Sequence, residues 1–342
     1  MIRRIAVLGA GEWAQAHHLP ALAAHPDVAL ARIVDIDGER AAQAAARFGA
    51  ASWSTSPDMS DVDAVVIATP HATHAELTTA YLERGITVLV EKPLATRVDD
   101  AFALVATAER TRVPLLVGYT AQFSNAAARV REWFHEGLIG ELLHVAIEFS
   151  SRAGRLYRAH AEDSRSAYSA ENGGQAATQL SHAVAAALSS LGQEATRVAG
   201  IVANRGTAVD VDDAFVFALS GGAMGAGTST GALADGAALR QVVRYIGDQG
   251  SISHDLLWGR ATLSTEGGMR CAAPSHHEAP YPAAGPVSTL VSILGGGPNP
   301  SPVRPAAATV AFIDALQTAA RTGRLESVRP LPAPMSRDKG DH

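Results

Sequence analysis

The first 120 residues alternate two kinds of segment, and this alternation constrains the fold more than any other feature. Short apolar runs rich in β-branched residues are each followed by an alanine-rich stretch with helical spacing. The apolar runs cover residues 5–8, 28–34, 64–68, 86–90 and 115–117. The helical stretches cover residues 19–24, 40–48, 74–84 and 98–110. Strands that are apolar nearly throughout and alternate with helices predict a doubly wound parallel sheet, an α/β architecture covered on both faces.

The pattern changes after Tyr119. A helix predicted over residues 125–135 is followed by Gly137, a helix-stop glycine. Strand-like runs then dominate, at residues 142–150, 198–202, 214–219, 224–230 and 242–246. One alanine-rich helix is predicted over residues 174–191, and another over residues 306–322. This pattern predicts an α+β domain with a mainly antiparallel sheet.

The length of 342 residues accommodates two domains of ordinary size. We expect a first domain at residues 1–121 and a second at residues 122–335. The polar residues 336–342 are expected to form a disordered tail.

Composition excludes several classes of protein. The net charge of -6 argues against nucleic acid or an anionic membrane as a partner. The single cysteine, Cys271, excludes an intrachain disulfide and a cysteine-rich zinc site, and we expect no metal. No apolar run reaches the roughly 18 residues that a membrane span requires. We therefore expect a cytoplasmic protein without membrane partners.

A glycine loop follows the first predicted strand directly. It reads G-x-G-x-x-A, with the first glycine allowing a turn and the second allowing backbone to approach a pyrophosphate. The following helix offers free N–H groups and a positive dipole end to phosphates. The loop predicts dinucleotide binding by Gly9, Gly11, Glu12, Trp13 and Ala14.

An acidic residue follows the second predicted strand. Asp35 lies at the position where dinucleotide-binding domains place an acid on the ribose hydroxyls, and Asp37 is the reserve candidate. An acid there repels a 2′-phosphate, so we expect NAD in preference to NADP. The nearby Arg40 leaves NADP as the alternative.

Chemically active side chains follow the next three strands. Thr69, Pro70 and His74 follow the third, Glu91 and Lys92 follow the fourth, and Tyr119 follows the fifth. Ligands of such sheets bind outside the carboxyl ends of the strands. Pro93 forces Lys92 into an extended conformation, so that its ammonium group can reach a substrate oxygen and stabilise alkoxide charge. Thr69, Pro70, His74, Glu91 and Lys92 are also expected near the cofactor.

The sequence resembles the glucose–fructose oxidoreductase / inositol dehydrogenase / MocA family along nearly its whole length. The resemblance rests on the glycine loop followed by residues 18–21, on residues 64–70 with His74, and above all on Glu91-Lys92-Pro93. Residues 137–141, 212–214 and 246–251 look like second-domain segments of that family. The resemblance implies a catalytic Lys92, a cis Lys92–Pro93 bond and a nicotinamide dinucleotide. It also implies an open second sheet through which a homodimer or homotetramer forms.

In that family, a helix carrying Asp-x-x-x-His lies beside the nicotinamide ring. Here the corresponding helix carries His182, with Thr178 where the family has aspartate. Residues four apart share a helix face, so Thr178 should lie beside His182 without supplying a negative charge. His182 should then be a weaker base. Three alternatives follow: Lys92 carries the proton transfer while His182 positions substrate, a carboxylate such as Glu171 pairs with His182, or the chemistry differs.

Further substrate contacts are expected around the cleft. The family's Arg-Phe after the fifth strand is Gln122-Phe123 here, so an amide replaces a charged group. Arg152 and Tyr157 follow the first strand of the second domain and are placed to reach a polyol or acidic group. The substrate-binding set is then Tyr119, Gln122, Arg152, Tyr157, Gln179 and His182.

These expectations combine into one function, with two alternatives. We expect an NAD(P)-dependent dehydrogenase or reductase that transfers hydride at a C–OH/C=O carbon of a sugar, inositol or related polyol. One alternative is an NAD-dependent glycoside hydrolase that acts by transient oxidation and elimination. The other is a non-catalytic dinucleotide-binding regulator. The presence of Lys92 argues against this alternative, and the replacement of the family's acid by Thr178 argues mildly for it.

Overall fold

The computed structural model of the protein describes residues 1–163, 166–274 and 281–334, so the expected tail at residues 336–342 lies outside the described part. The N-terminal sheet has six strands: β1 (Arg3–Leu8), β2 (Val28–Val34), β3 (Trp53–Ser54), β4 (Ala64–Ile67), β5 (Thr87–Val90) and β6 (Leu115–Val117). Their order is β3-β2-β1-β4-β5-β6, and all neighbours pair in parallel. The predicted doubly wound sheet is confirmed.

Helices cover both faces of this sheet. They are α1 (Leu19–Ala24), α2 (Gly38–Phe48), α3 (His74–Glu83) and α4 (Val98–Thr111). Every residue of β4 and β5 is buried, which explains why these strands are apolar throughout. A π-helical turn, Ala14–His18, leads from the glycine loop into α1.

The second sheet has nine strands. They are β7 (Leu142–Ser150), β8 (Ala195–Ala203), β9 (Asp212–Leu219), β10 (Met224–Thr230), β11 (Gln241–Gly247), β12 (Gly250–Asp255), β13 (Arg260–Thr265), β14 (Gly268–Ala272) and β15 (Glu326–Ser327). The order is β14-β13-β12-β11-β7-β10-β9-β8-β15. Only β7 and β10 pair in parallel, so the predicted mainly antiparallel sheet is confirmed.

Helices cover one face of this second sheet. The remaining helices of the described chain are α5 (Asn125–His135), α6 (Gly154–Ala159), α7 (Ser181–Leu191), α8 (Gly285–Leu294) and α9 (Val303–Thr322). Along β9, Phe215 and Phe217 are buried beneath α9, whereas Val216 between them is 55% exposed. The alternation shows that the opposite face of the sheet is open.

The sequence pattern did not predict β3, β12, β13, β14, β15, α6 or α8. Strand β14 is the edge strand, and β13 lies next to it. Both are short and rich in polar, partly exposed residues, and only Ala261 and Leu263 of β13 are buried, so their apolar signal is weak. Helix α8 contains several β-branched residues, and a short apolar run of this kind fits a strand as well as a helix. None of the helices in the described residues combines the length and apolarity that crossing a membrane requires.

The C-terminal part of the chain returns to the first sheet. Val287 and Leu290 of α8 share a hydrophobic core with Leu116 of β6. The Ser301 hydroxyl donates a hydrogen bond to the carbonyl of Val117 at 2.6 Å. In the sequence, the strands of the first sheet all precede residue 121 and those of the second sheet all follow it. The segment from α8 to Ser301 nevertheless packs against the first sheet.

Candidate active site

The glycine loop lies at the carboxyl edge of the first sheet. Gly9 has a φ of +89°, and a Cβ atom there would lie 2.4 Å from the carbonyl oxygen of Ala68, so only glycine fits. At Gly11, no other described residue beyond its chain neighbours comes within 4 Å of a Cβ position. The loop therefore leaves open space in which a phosphate group can approach the backbone, and it fits a dinucleotide pyrophosphate.

The side chains of the glycine loop differ in exposure. Glu12 is exposed and Ala14 is buried. Trp13 is 40% exposed, and its indole Nε1 donates a hydrogen bond to Glu91 Oε1 at 3.0 Å. Trp13 thus ties the loop to the residue that precedes Lys92.

Asp35 lies directly after β2 and supports the glycine loop. Its carboxylate accepts a hydrogen bond from the backbone N–H of Ala10 at 2.8 Å and two from the Arg40 guanidinium, at 2.6 and 3.0 Å. Burial by itself would raise the pKa of Asp35, but these hydrogen bonds and the Arg40 charge hold the pKa below its usual range. Asp37 instead caps α2 by accepting a hydrogen bond from the backbone N–H of Arg40.

Glu91 is a buried carboxylate at the end of β5. Its Oε1 accepts hydrogen bonds from Trp13 and from His18 Nε2, the latter at 2.8 Å, and its Oε2 accepts one from the backbone N–H of Lys92. A Cβ atom at Gly118 would lie 2.8 Å from Oε1, so that glycine makes room for the carboxylate. Burial raises the pKa of Glu91, but the hydrogen bond and charge of His18 outweigh it and lower the pKa. Sequence reasoning missed His18 as a functional residue.

Lys92 extends from β5 toward the second domain. The Lys92–Pro93 bond is cis, as the resemblance implied. The Lys92 ammonium donates a hydrogen bond to the backbone carbonyl of Thr178 at 2.9 Å. Burial lowers the pKa of Lys92, and the charge of Glu91 opposes this only in part. A lowered pKa makes the neutral amine easier to form, so Lys92 is better suited than an exposed lysine to take up and return a proton.

His74 does not lie where it could contact a cofactor. Its ring is fully buried, with Nδ1 2.8 Å from the Pro93 carbonyl oxygen and Nε2 3.0 Å from that of Thr69. It links the end of β4 to the segment that carries Lys92. Thr69 and Pro70 are half-buried at the same sheet edge.

His71 is a member of this site that the sequence analysis missed. It lies directly after Pro70 and is 5% exposed. Burial, together with the Lys92 charge, lowers the pKa of His71 to about 2, so this imidazole is neutral. Its position after Thr69-Pro70 was the only signal in the sequence.

His182 lies in the first turn of α7 and is half-buried. Its ring meets Tyr119 edge-on, with ring centroids 5.7 Å apart. Burial, and then the Lys92 charge, lowers the pKa of His182 to about 3. A neutral imidazole donates and accepts hydrogen bonds but carries no charge, which fits the expectation that His182 is a weak base.

Thr178 lies in a π-helical turn, Ala176–Leu180, that leads into α7. Its hydroxyl donates a hydrogen bond to the Gly174 carbonyl at 2.9 Å and lies 2.5 Å from the Tyr157 hydroxyl. Because the single hydroxyl hydrogen of Thr178 is used toward Gly174, Tyr157 is the donor in the second bond. In the described part of the chain, Thr178 makes no hydrogen bond to His182.

The other predicted substrate residues lie around this centre. Gln122 is 4% exposed, and Tyr157 is 1% exposed beneath Thr178. The Arg152 guanidinium donates hydrogen bonds to the carbonyls of Ala234 and Ala237 rather than projecting freely. Gln179 is half-buried. Substrate contacts by these residues stay predictions.

The structure gives little support to two further possibilities. Glu171 is exposed and makes no hydrogen bond to His182 within residues 1–163, 166–274 and 281–334, so its pairing with His182 has no contact behind it. Within the same residues, no group of three or more His, Cys, Asp or Glu side chains is arranged to hold a metal ion.

Several curated proteins are similar to part of the chain. The chain is 35% identical over 150 residues to dTDP-3,4-didehydro-2,6-dideoxy-alpha-D-glucose 3-reductase of Streptomyces antibioticus. The matched residues cover 43% of this chain and 46% of the relative. It is also 35% identical over 150 residues to inositol 2-dehydrogenase 4 of Saccharopolyspora erythraea, covering 42% of this chain and 44% of the relative. The similarity spans less than half the length of these relatives.

Solved structures share the whole architecture. An oxidoreductase domain protein from Kribbella flavida aligns with a TM-score of 0.83 and 21% identity, covering 96% of this chain and 100% of that one. Levoglucosan dehydrogenase, in a complex with NADH and levoglucosan, aligns with a TM-score of 0.83 and 20% identity over the same shares. At such identities, the likeness establishes the fold alone.

Two domain models of one protein family together match more than two thirds of the chain. Residues 3–119 match the GFO/IDH/MocA oxidoreductase family, NAD-binding Rossmann fold. Residues 127–253 match the GFO/IDH/MocA C-terminal domain. The two matches occur in the family's order. The first spans all six strands of the first sheet, and the second spans β7 to β11 and most of β12. The chain therefore belongs to the GFO/IDH/MocA family of oxidoreductases, whose N-terminal domain binds NAD.

Proposed function

We propose that this chain is an NAD-dependent dehydrogenase or reductase that interconverts a C–OH and a C=O group on a sugar, inositol or related polyol. The observation that carries the proposal is the position of Lys92. Its amine, with a lowered pKa, lies next to neutral His182 at the carboxyl edge of an NAD-binding sheet. Two relatives that are 35% identical to the chain over 150 residues are named as an inositol 2-dehydrogenase and as a dTDP-sugar 3-reductase.

Lys92 is proposed as the acid and base of the reaction. In the oxidative direction, its neutral amine takes the proton of the substrate hydroxyl while a hydride leaves the same carbon and the carbonyl forms. Bound NAD supplies the hydride acceptor in this direction. In the reductive direction, the Lys92 ammonium returns the proton to the oxygen.

His182 is proposed as a positioning group. Its pKa of about 3 leaves it neutral at pH 7, so it donates or accepts a hydrogen bond to a substrate hydroxyl without exchanging its proton. This supports the first of the three alternatives for the Thr178 substitution, in which Lys92 carries the proton transfer.

NAD would be held by groups at the edge of the first sheet. The open space at Gly11 and the first helical turn suit the pyrophosphate, and Asp35 suits the adenosine ribose. Trp13, tied to Glu91, borders the same crevice.

The open face of the second sheet is proposed to pack against a second copy of the chain. This face exposes apolar side chains, among them Ile201 at 73%, Val216 at 55% and Met224 at 65%. A flat apolar face of this kind is typical of a self-complementary interface. The cytoplasmic location stays a prediction.

The function is tested by two measurements. NADH and NADPH binding is followed by fluorescence titration, and turnover is followed by absorbance of reduced nicotinamide on sugars, inositols and their keto forms. Lys92→Ala should retain cofactor affinity within about threefold and lose at least about 10³-fold in kcat. Retained turnover in Lys92→Ala would exclude the assigned role, and release of free sugar without net cofactor reduction would identify a glycoside hydrolase instead.

A further inference from the structure

The Lys92 ammonium rests on a backbone carbonyl rather than on a carboxylate. That carbonyl belongs to Thr178, at 2.9 Å, inside the π-helical turn Ala176–Leu180. A π turn contains one more residue than an α turn and displaces its carbonyls from the regular α-helical hydrogen-bond ladder. The position of the Lys92 ammonium therefore depends on what holds this turn in place.

Tyr157 holds the turn from below. Its hydroxyl lies 2.5 Å from the Thr178 hydroxyl, which in turn donates to the Gly174 carbonyl. The three groups form one directed chain, from Tyr157 to Thr178 to Gly174, and it spans the π turn. Both ends of the chain are buried, so water does not compete for these bonds.

Tyr157 is itself fixed by its surroundings. It is 1% exposed, packs with Ala153 and Val211, and meets Tyr168 with ring centroids 5.7 Å apart. Its hydroxyl also lies 3.5 Å from Gln175 Oε1. Of the two acceptors in reach, Gln175 Oε1 at 3.5 Å is much farther away than the Thr178 hydroxyl at 2.5 Å, so the Tyr157 hydroxyl hydrogen points to Thr178.

The Gln175 amide is fixed as well. It accepts a hydrogen bond from the Ser151 hydroxyl and donates one to the Ser229 hydroxyl, both at 2.9 Å. Ser229 of β10 and Ser151, directly after β7, thus hold Gln175, the residue that precedes the π turn. The second sheet is thereby connected, through Tyr157 and Gln175, to the helix that faces Lys92.

We propose that Tyr157 is a positioning residue of the active site, whose hydroxyl acts through Thr178 to hold the backbone carbonyl on which the Lys92 ammonium rests. This inference rests on the catalytic role proposed for Lys92. Tyr157 touches neither Lys92 nor the open cleft, so its effect on the reaction is transmitted entirely through the π turn.

The sequence allows a test that does not depend on turnover. The chain contains two lysines, Lys92 and Lys339. Protein labelled with ¹³C at the lysine ε-carbon therefore gives two lysine signals, and Lys339→Arg assigns them. The pKa of Lys92 is then read directly from its chemical shift as a function of pH, without cofactor or substrate.

Tyr157→Phe is expected to lower the pKa of Lys92 by roughly half a unit to one unit. A hydrogen bond to the charged form of a group favours that form, so loosening the carbonyl disfavours the ammonium. Glu91, His71, His74 and His182, which face Lys92, are unchanged in the variant. In the enzyme assay, kcat should fall about tenfold with KM changed less than threefold.

Tyr245→Phe is the matched control. Tyr245 is also fully buried, and its hydroxyl donates a hydrogen bond to the Ala186 carbonyl of the same helix, two turns beyond the π turn. Like Tyr157→Phe, the substitution Tyr245→Phe removes a buried tyrosine hydroxyl that forms a hydrogen bond near this helix. The Lys92 titration should be unchanged in this control.

Two substitutions at Thr178 test the pathway itself. Thr178→Ser keeps the hydroxyl and should leave the Lys92 pKa within about 0.2 unit of its wild-type value. Thr178→Val keeps the shape of the side chain but removes its hydroxyl, and it should lower the Lys92 pKa as much as Tyr157→Phe does. The double variant Tyr157→Phe/Thr178→Val should show no further shift of the Lys92 pKa.

The proposal is overturned if folded Tyr157→Phe titrates as wild type does at Lys92, or if Tyr245→Phe shifts Lys92 equally. A shift at Lys92 in a protein that turns over no polyol would support the positioning role while refuting the proposed function.

Discussion

Arg40 binds both carboxylate oxygens of Asp35, with Nη2 2.6 Å from Oδ1 and Nε 3.0 Å from Oδ2. The acid expected to select NAD is therefore paired with a cation that could accept the 2′-phosphate of NADP. Cofactor preference then depends on the balance between these two side chains.

Arg40→Ala should weaken NADPH binding about tenfold, or about 1.4 kcal/mol, and change NADH binding less than threefold. The reason is that the remaining Asp35 charge repels a 2′-phosphate but accepts ribose hydroxyls. Fluorescence titration with both cofactors measures the effect. Arg47→Ala, which removes the same charge from the other end of α2, should leave the ratio of the two affinities unchanged; an equal loss for both cofactors in Arg40→Ala would contradict the assignment.

Gly11→Ala should lower NADH affinity at least about tenfold while leaving the melting temperature within about 2 °C of wild type. A Cβ at Gly11 meets open space in the described chain, so it disturbs a bound pyrophosphate and not the fold. Gly9→Ala, with its contact to Ala68, should instead cost about 2–4 kcal/mol of unfolding free energy. Unchanged NADH binding in Gly11→Ala would place the pyrophosphate elsewhere.

Thr178→Asp should raise the pKa of His182 by about one unit or more. A carboxylate four residues away on the same helix stabilises the imidazolium, which burial and Lys92 now disfavour. Histidine-selective NMR titration of His182 measures the shift. No shift in a folded variant would show that the residue at this position does not face His182.

Asp213 predicts a pH-dependent stability. Burial, and then the neighbouring Asp210 charge, raises the pKa of Asp213 above its usual range. The folded chain therefore keeps a proton that the unfolded chain releases above about pH 4, so stability falls as pH rises from there through the neutral range.

The isosteric Asp213→Asn removes this titration. Between pH 5 and pH 8, wild type should lose up to about 4 kcal/mol more unfolding free energy than Asp213→Asn, measured by urea denaturation at each pH. Parallel pH profiles for the two proteins would show that Asp213 is ionised in the folded state.

Val216→Lys should dissociate the proposed oligomer. Val216 lies on the open face of the second sheet, flanked by β8 and β10, where a lysine in a buried interface would lack a partner. Sedimentation velocity measures the change in mass. Trp258→Lys, which replaces a similarly exposed side chain in the turn between β12 and β13, should leave the assembly intact. A monomeric wild type would refute the proposed interface.

Local pattern was enough to predict the first sheet and much of the second. Strands β2, β6, β7 and β10 and helices α1 and α5 begin and end where the sequence pattern placed them. Strand β14 and its neighbour β13 escaped prediction because few of their residues are buried and apolar, and helix α8 because its packing partner, Leu116 of β6, lies far along the chain.

The same division applies to the site. The sequence by itself placed the glycine loop, Asp35 and Lys92 at the ends of strands, and the family resemblance pointed to His182; the roles of these residues stay predictions. Only the tertiary structure decided that Arg40 binds Asp35, that His74 is a buried link, and that the Lys92 ammonium rests on the Thr178 carbonyl. These relationships join residues from separate elements, and their geometry and burial arise when the two sheets and their helices pack together, which no local sequence pattern encodes.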